Sequence, residues 1–110
     1  MTTEQLRAFL LSSSRNQWLK SPGMKVYVRK AVHYCSRFQT GIRCVDIASI
    51  QIDPPNQGTF NKWYPAIRQT AIDFGAEAVF FESVLNPHFA AKLARMGMVQ
   101  EPGMGWFDLF

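Results

Sequence analysis

Residues 42–84 read IRCVDIASIQIDPPNQGTFNKWYPAIRQTAIDFGAEAVFFESV, and the order of apolar patterns along them decides the fold. The first run, IRCVDIASIQI over 42–52, has the β-branched content of a strand. Its centre is apolar on both faces, with Val45 and Ile47 against Ala48 and Ile50. A central strand covered on both sides has that pattern. Strict alternation places Asp46 on the face of Cys44, Ala48 and Ile50. A stiff loop follows, Asp53-Pro54-Pro55-Asn56-Gln57-Gly58. Phe60, Trp63, Tyr64, Ile67, Ala71 and Phe74 then recur at three- and four-residue steps. This predicts an amphipathic helix over about 59–74, with Pro65 expected only near its first turn. Residues 78–84, AVFFESV, form a short buried strand. A strand, a helix and a strand in that order predict that 42–52 and 78–84 lie side by side and parallel, joined by a right-handed crossover.

Working outward, residues 24–35, MKVYVRKAVHYC, are rich in Val and Tyr and read as a strand. A short turn joins them to 42–52, so that pair is antiparallel. Asn86-Pro87 opens a helix over about 87–96, which Gly97 ends. Met98–Gln100 and Trp106–Phe110 read as final strand pieces around a Gly103-Met104-Gly105 bend. Upstream, Thr2 and Gln5 have capping-box spacing, and Leu6, Phe9 and Leu10 predict a helix over about 3–12. Ser21-Pro22-Gly23 breaks the chain. The expected class is α/β, a mixed sheet in a single domain over 1–110. Residues 1–23 are read as a helix and turn, and 24–110 as the sheet with two helices.

The 110 residues suit one domain. With 47% hydrophobic and 18% charged residues, the composition excludes a disordered chain. No apolar run approaches the ~18–20 residues a spanning helix needs, so no membrane partner is expected. Two cysteines, Cys35 and Cys44, exclude a disulfide scaffold and fit core thiols. With no signal-peptide pattern at the N-terminus, the expected compartment is the cytoplasm. Charge is uneven. Residues 1–43 carry eight Lys or Arg and one acid, whereas 44–110 carry four bases and seven acids. A basic first half suits an acidic partner or a phosphorylated cofactor, and equally a solvated surface.

Three stretches resemble the GNAT family of acyl-CoA-dependent N-acetyltransferases, over about residues 24–110. IASIQIDPP is similar to that family's fourth strand and its acidic-Pro corner. QGTFNK at 57–62 stands at the place of its pyrophosphate loop, with Phe60 and Lys62 where small residues are usual. In the family, Asn is followed by a small residue three places on, Tyr seven on, Gly eleven on and an apolar residue twelve on. Those places hold Asn86, Phe89, Leu93, Gly97 and Met98 here. The resemblance implies a GNAT-like fold lacking its first strand, with acetyl-CoA as co-substrate. The acceptor would be an amine of a protein or small molecule. It also implies that Gln57, Gly58, Thr59, Phe60, Asn61 and Lys62 surround the pyrophosphate. Ile50, Ile52 and Asn86 would then line a gap where the pantetheine arm lies between two diverging strands. A missing first strand would leave 24–35 as an open edge, so a homodimer or a protein partner is expected there.

Acetyl transfer needs a base for the attacking ammonium. Asp46, eleven residues before Gln57, is one candidate, and Glu82 within the short apolar strand is the other. The plain structural readings are a cross-hairpin pair of Asp46 with Arg29 or Arg43, a strand-end ion pair for Glu82, and an N-cap for Asn86. Leu93 brings no hydroxyl to protonate the leaving thiolate, and Tyr64, Tyr34 and His88 are the substitutes at hand. No metal-ligand spacing occurs. Tyr27, Arg29 and His33 share a strand face and mix aromatic with basic character, a weaker pointer to nucleic acid. The alternative to an enzyme is a GNAT-fold protein that has lost catalysis and works by binding a protein partner.

Overall fold

A computed structural model describes residues 3–35, 39–53, 58–82, 84–101 and 105–110. Its elements are α1 (Thr3–Leu11), β1 (Asn16–Ser21), β2 (Met24–Cys35), β3 (Thr40–Ile52), α2 (Thr59–Asp73), β4 (Ala78–Glu82), α3 (Pro87–Arg95), β5 (Val99–Glu101) and β6 (Gly105–Leu109). The strands form one mixed sheet in the order β1-β2-β3-β4-β6-β5. β3 and β4 are parallel, as a strand–helix–strand order requires, and every other neighbouring pair is antiparallel. The class is therefore the expected mixed α/β.

Two expectations about the N-terminal part are corrected. Residues 1–23 hold more than a helix and turn, because β1 precedes β2 and pairs with it from Asn16↔Arg29 to Ser21↔Met24. Ser21-Pro22-Gly23, read as a break, is the turn of this hairpin, with Gly23 at φ 81 behind Pro22. Pro followed by a residue at positive φ is the type II turn pattern. β1 formed no sequence signal of its own because only Leu19 points into the core. Its other side chains are exposed or half-exposed. The second correction follows: β2 is no open edge over 24–35, since β1 covers 24–29.

One face of the sheet carries the main core. Leu6 and Phe9 of α1, Phe60, Trp63, Tyr64 and Ile67 of α2 and Leu93 of α3 pack with Val26, Val28, Val45, Ile47, Val79 and Phe81 of the strands. Each such aliphatic or Phe side chain contributes about 1.5–3 kcal/mol by leaving water. Pro65 lies in the second turn of α2, further in than expected. The helix continues past it because Tyr64 and Ile67 on either side are 2% and 0% exposed, anchored in this core. The opposite face carries a smaller cluster, Ile42, Cys44, Ala78, Phe80 and Phe107, to which no helix residue belongs among the described residues.

β3 departs from strict alternation. Val28 pairs with Ile47 and Tyr27 with Ser49, which leaves Ala48 as an extra residue. A bulge of this kind shifts the parity of the chain. Ile47 and Ile50 consequently both pack on the helix-covered core, while Asp46 keeps the register of Cys44 on the other face. The expected sharing of one face by Asp46 and Ile50 is corrected for that reason.

Candidate functional site

The parallel ladder between β3 and β4 is short. It runs from Cys44↔Ala78 to Ile47↔Phe81 and stops. Among the described residues β3 continues to Ile52 bonded to β2 alone, and β4 ends at Glu82. The two strands therefore part beyond Ile47 and Phe81. A cavity of about 240 Å³ lies in the opening, lined by Ile47 to Ile50 on one side and by Phe81, Glu82, Val84, Leu85, Asn86 and Phe89 on the other.

The predicted residues distribute themselves around this opening as follows. Ile50 and Asn86 stand on opposite walls, and Glu82 stands at the rim. Ile52 lies beyond it, against a separate hollow near the β1–β2 turn. Asn86 is also the N-cap of α3, its Oδ1 accepting from the N–H groups of His88 at 2.9 Å and Phe89 at 3.3 Å. The expected N-cap is therefore present, on a residue that also borders the opening. Gly58 precedes α2 in the left-handed conformation, φ 70, and gives the helix no side-chain cap. Lys62 and Asn61 are exposed and Thr59 half-buried. Phe60 turns inward, 3% exposed, stacked 5.1 Å from Tyr64 and packed on Phe81 and Phe89. Its ring stays out of the cavity wall. Lys92 of α3 reaches back over Phe60, its Nζ 5.4 Å from the ring. Gln57 lies outside the described residues.

The two candidate bases share the helix-free face but not their surroundings. Asp46 is 1% exposed. Its Oδ2 lies 2.6 Å from His33 Nε2, and Oδ1 has no hydrogen-bond partner among the described residues. Burial pushes its carboxyl above the usual 3.8, and the nearby Glu82 carboxylate adds to this. The His33 hydrogen bond and the charges of His33 and Arg29 act in the other direction. Glu82 is half-exposed and forms an ion pair with Arg29, Nη1 to Oε2 3.2 Å. Arg29 is level with Asp46 in the β2–β3 ladder yet reaches past it to Glu82, and Arg43 pairs with Glu77. The anticipated partners of Asp46 are thus engaged elsewhere, and His33 takes their place.

His33 was the residue that sequence reasoning undervalued. It sits four residues along β2 from the partner of Asp46, with only Ala31 and Cys44 between them on that face. Two small neighbours let the imidazole lie down the strand, with its ring 4.3 Å from Phe80 and 6.2 Å from Phe107. The signal available was the run of small residues on both strands. The aromatic-basic face of Tyr27, Arg29 and His33 exists, but Arg29 and His33 are bound to carboxylates. Of the substitute acids, Tyr64 Oη lies 2.5 Å from Asp108 Oδ2. Burial and that carboxylate drive its phenol pKa far up, so it stays protonated. Tyr34 and His88 are exposed, away from the cavity wall. Leu93 is fully buried in the core, and Cys44 is buried in the smaller cluster. The register sets Cys44 opposite Ala31 and Cys35 opposite Thr40, so the two cysteines are not cross-strand partners. Among the described residues no group of three or more potential metal ligands occurs, and no helix is long and apolar enough to cross a membrane.

No protein-family model matches the chain, and no curated protein matches it.

Proposed function

We propose that the chain is a GNAT-like N-acetyltransferase that moves an acetyl group from acetyl-CoA to an amine. The observation that carries this reading is the parting of β3 from β4 beyond Ile47 and Phe81, with a cavity between them. Strand backbone without a partner on one side offers N–H and C=O groups to an amide-bearing arm, and pantetheine is such an arm. Ala48 to Ile50 supply that backbone, and Asn86 closes the far wall. The start of α2 at Gly58, without a side-chain cap among the described residues, supports the same reading, because first-turn N–H groups and the positive end of the helix dipole suit a pyrophosphate.

Glu82 is the base in this account, since it borders the cavity and is reachable by solvent, whereas Asp46 is sealed behind it. The ammonium of the acceptor gives a proton to Glu82. The amine nitrogen attacks the thioester carbon, a C–N bond forms and the C–S bond breaks. The thiolate leaves, the nitrogen gives up its second proton to water, and the thiolate takes a proton back from water, because Leu93 offers none. Glu82 then returns its proton to solvent. The Asp46–His33 pair beneath holds β2 and β3 in the register that sets Arg29 against Glu82.

A binding-only role is the second reading, favoured by buried Leu93 at the place of the family's hydroxyl and by Phe60, buried in the first turn of α2 where the family has a small residue. Calorimetric titration separates the two. Acetyl-CoA should bind one to one with micromolar affinity. Absence of heat at millimolar ligand eliminates the enzyme and leaves the binding role.

A further inference from the structure

We propose that the uncovered half of β2, residues 31–35, and the groove beside it take up an extended acidic segment of a partner protein as an added strand. This proposal is independent of acetyl transfer. β1 ends at Asn16, opposite Arg29, and the last bond on that side runs from the Lys30 N–H to the Arg15 carbonyl at 2.8 Å. Backbone groups of successive strand residues alternate sides, so this bond fixes the parity. Val32 and Tyr34 therefore direct their N–H and C=O groups to the same side, where no strand lies among the described residues. Their side chains are 68% and 56% exposed, a large apolar surface for two neighbours on one face. Open edges with apolar side chains pair readily with another chain.

A second observation points to what pairs there. A groove of about 670 Å³ lies next to this edge, over β2 and β3, with Leu10, Val32 and Phe74 among its apolar lining and Arg15, Lys30 and Arg43 around them. Among the described residues Arg43 has an exposed pair with Glu77 at 3.5 Å, Lys30 Nζ donates to the Ser12 carbonyl and lies over the Phe9 ring, and Arg15 has no carboxylate partner. A second copy of this chain on the same edge would bring two such cationic sets together, which is repulsive. Nucleic acid lacks the alternating donors and acceptors that match a strand edge. An extended polypeptide with apolar and acidic residues on its inner face satisfies the edge, the wall and the charges together.

The probe is a capped, labelled peptide, Thr-Val-Thr-Glu-Thr-Val-Thr-Glu, compared with the same peptide carrying Lys for Glu. By anisotropy the Glu peptide should bind at least about tenfold more tightly, a difference of about 1.4 kcal/mol. At saturation, hydrogen exchange of the Val32 and Tyr34 amides should slow. Val32→Pro should abolish binding without unfolding the chain, because that N–H has no partner to lose among the described residues. Arg15→Glu should reverse the peptide preference and serves if Val32→Pro fails to fold. Equal binding of both peptides, no binding at millimolar concentration, unchanged exchange at Val32, or protection of the same amides by self-association would each overturn the proposal.

Discussion

Replacing His33 by Phe is a stringent test of the helix-free face. The ring would keep its place 4.3 Å from Phe80, so packing is preserved while the Nε2 contact to Asp46 is deleted. Asp46, 1% exposed and already without a partner on Oδ1, would then hold a buried charge with neither oxygen satisfied among the described residues. Removing one member of a buried pair costs about 3–5 kcal/mol. In a domain of this size that lowers Tm by between about 10 and 40 °C. The cost depends on pH. Burial raises the folded-state pKa of Asp46 above its ordinary 3.8, so the ionised form is the unfavourable one in the fold. Its contribution to stability is greatest below 3.8 and declines as pH rises through the folded-state value. Loss of His33 removes the two largest influences that hold this value down, and the variant's deficit should therefore widen from about pH 4 to about pH 8. Urea unfolding of both proteins across that range measures it. A deficit below about 1 kcal/mol at neutral pH, or one that does not change with pH, would refute the reasoning.

Other consequences follow from the same geometry. Gly105→Ala would drive a Cβ into the Phe81 carbonyl oxygen, so β6 must shift from β4 and stability should fall by at least about 2 kcal/mol, read by thermal unfolding. Asn86→Ala removes the N-cap of α3 and should cost about 1 kcal/mol. The same substitution should weaken acetyl-CoA binding by calorimetry, because Asn86 is also a cavity wall. Glu82→Gln should lower kcat by about 10²–10⁴ with little change in acetyl-CoA affinity, measured by thiol release with an amine acceptor.

Much of the architecture was written in periodicity. The step of three and four from Phe60 to Phe74 placed α2, and a strand on either side of it required the parallel β3–β4 pair. β1 was hidden because a peripheral strand with one inward residue, Leu19, has almost no pattern to read. That omission made β2 look uncovered along its whole length, whereas among the described residues only its distal part is. The bulge at Ala48 was equally invisible, since nothing local distinguishes it from regular alternation, and it separated Ile50 from Asp46. In the candidate site, Ile50 and Asn86, implied by the resemblance, and Glu82, picked out as an acid within a short apolar strand, fall around one cavity. The partner of Asp46 was missed because cross-strand reasoning looks directly opposite. His33 reaches it lengthwise, over Ala31 and Cys44.

The opening between β3 and β4 is the centre of this account, and backbone amide NMR with acetyl-CoA interrogates it residue by residue. Saturating ligand should shift the amides of Ala48, Ser49 and Ile50 together with those of Leu85 and Asn86, and leave Val32 and Tyr34 unmoved. Shifts confined to other parts of the chain, or none at millimolar acetyl-CoA, would contradict it.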